Sequence, residues 1–277
     1  MADRRAEAIS RLRRTRAFLV DLDGTTYIDM QPSPGAVDFL GGLRDRGNPH
    51  VFLSNNSSKS GNEYVDRLTS MGISVTRDNV MTSGDATIEY LSRRTEHRSI
   101  YLVGTEPLEA DFRAAGFHLV DLDPASGDPD CVVVAFDTTV TFAKLERACA
   151  LLMAGKPYYA THPDKTCITA RGLIPDIAAI IAACEAVTGR SPTIIGKPEP
   201  AIVELALEVL GATAAETAIV GDQLDTDMVM GRQSGLLSCL VMTGETSQQR
   251  LEALEPAQRP ELVVSGVAEL HELLTSG

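Results

Sequence analysis

Four aspartates and one lysine carry the most chemistry in this chain. Asp21 and Asp23 stand two residues apart, Asp222 and Asp227 five apart, and Lys197 lies between a glycine and a proline. Ser54 and Asn55 add a small polar pair. Carboxylates suit a hard divalent cation such as Mg2+, which keeps several waters and takes one or two carboxylates plus a substrate phosphate. Two unit anions about 4 Å apart repel by about 4 kcal/mol at an effective dielectric of about 20. A carboxylate attacking a phosphate dianion faces about twice that. A cation and a lysine together offset it, so the ensemble suits phosphoryl transfer.

The elements that must position these residues read as an α/β fold. Apolar strand segments alternate with helical segments, as in a mostly parallel sheet. Ala17–Val20 is a short apolar strand running into Asp21, and His50–Leu53 is another running into Ser54. Thr193–Ile195 leads to Gly196-Lys197, and Ala218–Val220 leads to Gly221-Asp222. Each cluster thus follows the carboxyl end of a predicted strand, the edge where open parallel sheets bind ligands. Helices fit Pro34–Arg46, Glu63–Met71, Ile177–Thr188 and Ala201–Leu210, and further strands fit Ser99–Val103, Cys131–Phe136 and Leu237–Met242. From Asp21 the clusters are spaced 33, 143 and 25 residues apart, and the middle gap has room for a whole small domain.

Asp21-Leu22-Asp23-Gly24-Thr25 resembles the first motif of the haloacid dehalogenase (HAD) superfamily, and the other three clusters match its remaining motifs in order. Leu53-Ser54-Asn55-Asn56-Ser57-Ser58-Lys59-Ser60, Gly196-Lys197-Pro198-Glu199-Pro200 and Gly221-Asp222-Gln223-Leu224-Asp225-Thr226-Asp227 extend the likeness to subfamily IIA, whose members include NagD-like, 4-nitrophenylphosphatase-like and pyridoxal-phosphate-phosphatase-like enzymes. The resemblance covers residues 17–275. It implies a Rossmann-like core with a parallel sheet, formed by residues 1–82 and 189–277. Residues 83–188 are then an inserted α/β type IIA cap that selects the substrate.

The resemblance further implies a Mg2+-dependent phosphatase acting on a small phosphorylated metabolite. By matched position, Asp21 is the nucleophile that forms a phospho-aspartate, and Asp23 is the acid/base. Ser54, with the Asn55 backbone N–H, binds the phosphoryl oxygens. Lys197 neutralises their charge, and Gly24 sits in a tight turn where backbone approaches the phosphate. The implied metal set is Asp21, the backbone carbonyl of Asp23, Asp222, and Asp227 acting through water or through contacts to the other ligands. Gly-Lys-Pro also occurs at 155–157, where Lys156 opens a strand and reads as a solvated lysine. Asp225 reads as a loop-structuring residue.

In the cap, Tyr158-Tyr159-Ala160-Thr161-His162-Pro163-Asp164 resembles a family segment that commonly reads Thr-Asn-Pro-Asp. His162 stands where Asn is usual, Leu173-Ile174-Pro175-Asp176 departs from a Gly-rich stretch, and Gln223 replaces a frequent Arg. Taken alone, His162 reads as a surface histidine. The sharper expectation is that Thr161, His162 and Asp176 shape the leaving-group pocket.

Composition narrows the partners. The 277 residues carry a net charge of −13, against bulk nucleic-acid binding. Residues 1–16 hold six arginines against Asp3 and Glu7, and read as a solvated, partly helical extension. No apolar stretch approaches a membrane span of about 20 residues. Five cysteines without CxxC spacing and five scattered histidines argue against zinc and fit a cytoplasmic home. Caps of this subfamily often mediate dimers, so a homodimer through the cap is expected. The main alternative is a non-catalytic binding or regulatory protein that kept the fold. Another HAD phosphotransferase is a second. A dehydrogenase is weak, since no GxGxxG follows the first strand.

Overall fold

The computed structural model describes residues 2–169 and 172–276. By backbone contacts the chain forms two compact units, one of residues 1–54, 64–81 and 203–277, the other of residues 55–63 and 82–202.

The first unit is built on a six-stranded sheet. Its order is Leu262–Val264, Leu237–Val241, Thr217–Gly221, Ala17–Asp21, His50–Ser54 and, at the edge, Val80–Thr82. The four pairings from Leu262–Val264 to His50–Ser54 are parallel. Ala17–Asp21, His50–Ser54, Thr217–Gly221 and Leu237–Val241 are buried along their whole length. That is why they read as unbroken apolar runs rather than alternating ones. Phe18, Val20, Phe52, Val220 and Val241 fill one face together with Leu43 and Leu270 from the flanking helices Ala36–Asp45 and Val267–Thr275.

The basic N-terminus is not a solvated extension. Ala2–Arg14 is a helix, and Ala8 and Leu12, four residues apart on one face, join the same core. Its arginines grip the same unit. Arg5 pairs with Glu269 at 2.7 Å and Arg11 with Glu261 at 2.8 Å. Both pairs are partly exposed, so Leu12 contributes more than either of them.

The second unit has a five-stranded parallel sheet in the order Thr193–Ile194, Tyr158–Ala160, Cys131–Val134, Ser99–Val103 and His118–Leu119. Both faces are covered. Tyr101, Val103, Val132 and Val134 pack with the helices Phe142–Met153 and Ile177–Thr188, while Ile100, Leu102, Cys131 and Val133 pack with Leu91 and Phe112. Thr166–Thr169 and Gly172–Pro175 form an antiparallel hairpin.

The contact boundaries differ from the expected insertion at 83–188. Thr193 and Ile194 pair with Tyr159 and Ala160, so the strand before Lys197 belongs to the second unit's sheet and not to the six-stranded one. Residues 55–63 also group with the second unit. Among the described residues, no helix is long and apolar enough to cross a membrane.

Leu12→Ala should cost about 2–5 kcal/mol of stability, the usual range for emptying a fully buried leucine site. Arg14→Ala, on the exposed face, should cost less than about 0.5 kcal/mol. Urea denaturation of both variants checks the pair. Equal small losses would show that the helix contributes nothing to the core.

Candidate active site

Sheet register brings the first carboxylates together. Asp21 is the last residue of its strand, and that strand pairs with Thr217–Gly221 so that Val20 lies opposite Val220. Asp21 therefore lies level with Gly221, and Asp222 comes one step later. On the other side Asp21 lies opposite Leu53, so Ser54 ends level with the same edge. Asp227 arrives by a different route. A short wide helical turn over Leu224–Met228 bends it back until its carboxylate lies over Gly221. Asp21, Asp222 and Asp227 then offer carboxylate oxygens all within 4.8 Å of one another. Asp222 and Asp227 are fully buried, and Asp21 is 7% exposed.

Three glycines leave the space for this. A Cβ on Gly24 would stand 2.6 Å from Asp222 Oδ2, and one on Gly244 would overlap that same oxygen. A Cβ on Gly221 would overlap the Asp227 carboxyl. Gly24 also has φ +85°, a region that side chains disfavour. The carboxylates are held by donors. Glu245 N–H donates to Asp222 Oδ2 at 2.6 Å, and the Thr25 hydroxyl donates to Oδ1 at 3.3 Å. Gln223 N–H donates to Asp227 Oδ2 at 3.3 Å. The Thr26 hydroxyl donates to the Asp21 carbonyl at 2.7 Å, and that of Thr243 to the Gly24 carbonyl at 2.7 Å.

Asp23 sits apart from this group. Its side chain is exposed, and its Oδ2 accepts the Tyr27 hydroxyl at 3.0 Å. Ser54 Oγ donates to the Tyr64 hydroxyl at 3.2 Å. Asp225 is exposed and pairs with Arg250, as a loop-structuring residue would.

Lys197 belongs to the second unit, where Asn55 clamps its backbone. Asn55 Oδ1 accepts the Lys197 N–H at 2.9 Å, and Nδ2 donates to the Lys197 carbonyl at 2.9 Å. The same amide also donates to both Asp164 oxygens, at 3.0 and 3.2 Å. Gly196 is required before the lysine, since a Cβ there would meet the Thr161 carbonyl at 2.5 Å and Asn55 Oδ1 at 2.8 Å. Lys197 is itself buried, with 4% exposure. The other Gly-Lys-Pro is unlike it, for Lys156 reaches an exposed Asp128 on the surface.

His162 is not a surface residue. It is fully buried, with Nε2 3.2 Å from Asp176 Oδ1 and Nδ1 within 3.2 Å of the Thr161 and Ser83 hydroxyls. Asp176 is 5% exposed and caps the helix Ile177–Thr188 through the Ile177 N–H. Both ring nitrogens and Asp176 Oδ1 therefore meet protein partners. His162 and Asp176 thus join Thr161 and Ser83 in an internal hydrogen-bond network. The Ser83 hydroxyl donates onward to the Asn55 carbonyl, so the network ends at the Lys197 clamp. His162, Asp164 and Asp176 also lie within ligand range of one another, with both Asp164 oxygens taking the Asn55 amide and Asp176 Oδ1 meeting His162 and the Ile177 N–H. Burial pushes the Asp164 carboxyl up from its ordinary range.

Sequence reasoning missed Thr243–Thr246, Asn55's side chain and Tyr27. The signal for the first was the Thr243-Gly244 pair one residue beyond the strand Leu237–Val241.

A sequence profile described as haloacid dehalogenase-like hydrolase matches residues 18–118, and one described as HAD-hydrolase-like matches residues 194–270. The crystal structure of a 4-nitrophenylphosphatase from Thermotoga maritima is 41% identical, with a TM-score of 0.89, over 96% of this chain and 99% of that one. An acid sugar phosphatase from Staphylococcus aureus is 34% identical over 241 residues, 87% of this chain and 92% of its own. A glycerol phosphate phosphatase from Mycobacterium tuberculosis, solved in complex with magnesium, is 32% identical with a TM-score of 0.85, over 95% of this chain and 78% of that one. Likeness of this extent, over a sheet whose register assembles the expected carboxylates, makes the protein an enzyme of the haloacid dehalogenase-like hydrolases, in subfamily IIA.

Proposed function

We propose that the enzyme is a Mg2+-dependent phosphomonoesterase that hydrolyses a small phosphorylated metabolite through a phospho-aspartate. The convergence of Asp21, Asp222 and Asp227 carries this reading. The donor set is all oxygen, charged and walled by glycines, which fits a small hard cation. The relatives' names support the reaction, and the magnesium complex of one relative supports the metal. Bound Mg2+ would supply charge neutralisation for the phosphoryl group. Asp21 and Asp222 would hold it with the Asp23 carbonyl, and Asp227 would support it through water.

The chain's own residues then divide the work. An Asp21 carboxylate oxygen attacks phosphorus, and the bond from phosphorus to the ester oxygen breaks. Asp23 gives its proton to that oxygen, then takes one from the water that attacks the acyl phosphate. Water leaves Asp21 free and phosphate released. Ser54 and the Asn55 N–H donate to the phosphoryl oxygens, and Lys197 neutralises their charge. Gly24 permits close backbone approach. Residues 83–188 would be the inserted cap that selects the substrate, a recognised task of lids. The relatives' names span sugar, glycerol, nucleotide and nitrophenyl phosphates, which keeps the substrate at a small phosphate ester.

Phosphate release from sugar phosphates, glycerol phosphate, nucleotides, pyridoxal phosphate and 4-nitrophenyl phosphate tests this. Activity should require Mg2+, vanish in EDTA, and fall by about 10³-fold or more in Asp21→Asn. Activity that survives both EDTA and Asp21→Asn would refute the mechanism. Hydrolysis of no ester at all would favour a binding protein.

The carboxylate group also predicts a stability signature. Each charged pair, with oxygens within 4.8 Å of each other, repels by about 3 kcal/mol or more at an effective dielectric of about 20. In EDTA, Asp227→Asn should therefore melt higher than the parent. Added Mg2+ should raise the parent's melting temperature more than the variant's, through binding to the folded state alone. An identical Mg2+ response in both proteins would remove Asp227 from the metal set.

A further inference from the structure

Asp23 is an exposed carboxyl with a task that demands one orientation. An exposed side chain samples several rotamers, and fixing it costs entropy. The fold supplies a brace. Tyr27 is fully buried in the core, and its hydroxyl donates to Asp23 Oδ2 at 3.0 Å. The turn between them is tight, since Gly24 N–H donates to the Tyr27 carbonyl at 2.9 Å and Thr26 N–H to the Leu22 carbonyl at 2.9 Å. Arg67 completes the chain. Its Nη1 donates to the Tyr27 hydroxyl at 3.2 Å, and its guanidinium carbon lies 5.5 Å from the Tyr27 ring centre. The same group lies 5.7 Å from the ring of Tyr64, whose hydroxyl meets Ser54. Tyr64, Arg67 and Leu68 share one face of the helix Gly61–Ser70, and Tyr64 and Leu68 anchor that face in the core.

We infer that Tyr27 and Arg67 are positioning residues that aim the Asp23 carboxyl at the leaving-group oxygen. The inference rests on the acid/base reading of Asp23 above. Burial, followed by the nearby Asp23 charge, pushes the Tyr27 phenol up, so it remains an O–H donor. Arg67 is always charged, and its donation polarises the phenol toward Asp23. In the proton transfer, Asp23 gives up its proton as the bond from phosphorus to the ester oxygen breaks, and Tyr27 keeps its own. Nothing in the first motif required this brace. Tyr27 lies two residues past Asp-Leu-Asp-Gly-Thr, and Arg67 lies 40 residues further on.

The test compares two leaving groups. 4-Nitrophenolate departs without a proton, whereas an alkoxide needs one. Because kcat/KM stops at the first irreversible step, it reads phosphoryl transfer to Asp21 and not the later attack of water. Tyr27→Phe keeps the ring and loses only the O–H. It should lower kcat/KM by about tenfold on the best alkyl phosphate of the panel and by less than about threefold on 4-nitrophenyl phosphate, a fraction of the effect of losing an acid outright. Arg67→Leu should discriminate in the same direction, and Arg67→Lys, which keeps the charge, should recover part of the loss. Melting temperatures show whether each variant is folded. Asp23→Asn sets the scale and should discriminate most strongly. If it does and the Tyr27 and Arg67 variants lose equally on both esters, or lose nothing, the positioning inference fails alone. If Asp23→Asn itself does not discriminate, the acid/base reading fails and the inference falls with it.

Discussion

Asp21, Asp222 and Asp227 put three carboxylates within 4.8 Å of one another, largely out of water. Like charges so placed are costly unless donors or a cation answer them. Much of the first unit's local structure can be understood from that cost. Gly24, Gly221 and Gly244 remove the side chains that would occupy the cluster's space. Backbone N–H groups of Gln223 and Glu245 point at carboxylate oxygens instead of closing helices or strands. The threonines at 25, 26, 243 and 246 tie the loops that carry these groups, with the Thr246 hydroxyl donating to the Asp222 carbonyl at 2.5 Å. A buried parallel sheet holds the bases of the loops, and its register cannot slip without moving every apolar side chain to the wrong position.

The second unit solves a different problem, that of keeping polar groups satisfied while buried. Asn55, Ser83, Thr161, His162 and Asp176 are all buried and bonded to one another or to backbone. A buried polar network of this kind stabilises only when each member is partnered. Its output is mechanical. The Asn55 amide pairs with both backbone groups of Lys197, which fixes where the lysine starts. The histidine at position 162 bridges Asp176 and the hydroxyls of Ser83 and Thr161.

Charge distribution also has a local logic. The arginines of the first helix look like a basic tail in a chain of net charge −13. In the fold, Arg5 and Arg11 neutralise Glu269 and Glu261, and Arg13 donates to the Leu273 carbonyl. The apolar pair Ala8 and Leu12 sets the helix on the core, and the arginines at its margins follow.

The sequence by itself determined the elements and the chemical cast. Ser99–Val103 and Ile177–Thr188 lie where hydrophobic periodicity put them, and the other named strands and helices agree within a few residues. Asp21 and Ser54 end their strands and Lys197 and Asp222 come just after theirs, because residue order along a strand is a local property. Val80–Thr82 and the helix Ser83–Arg94 escaped notice, although Thr82 and Asp85 form a capping box. Only the tertiary structure decided which sheet each strand joins, so the strand before Lys197 proved to belong to the second unit. It also decided that His162 is buried, that Asn55 clamps a lysine 142 residues away, and that Tyr27 meets Arg67. Those facts rest on contacts between residues far apart in the chain, and no local spacing records them.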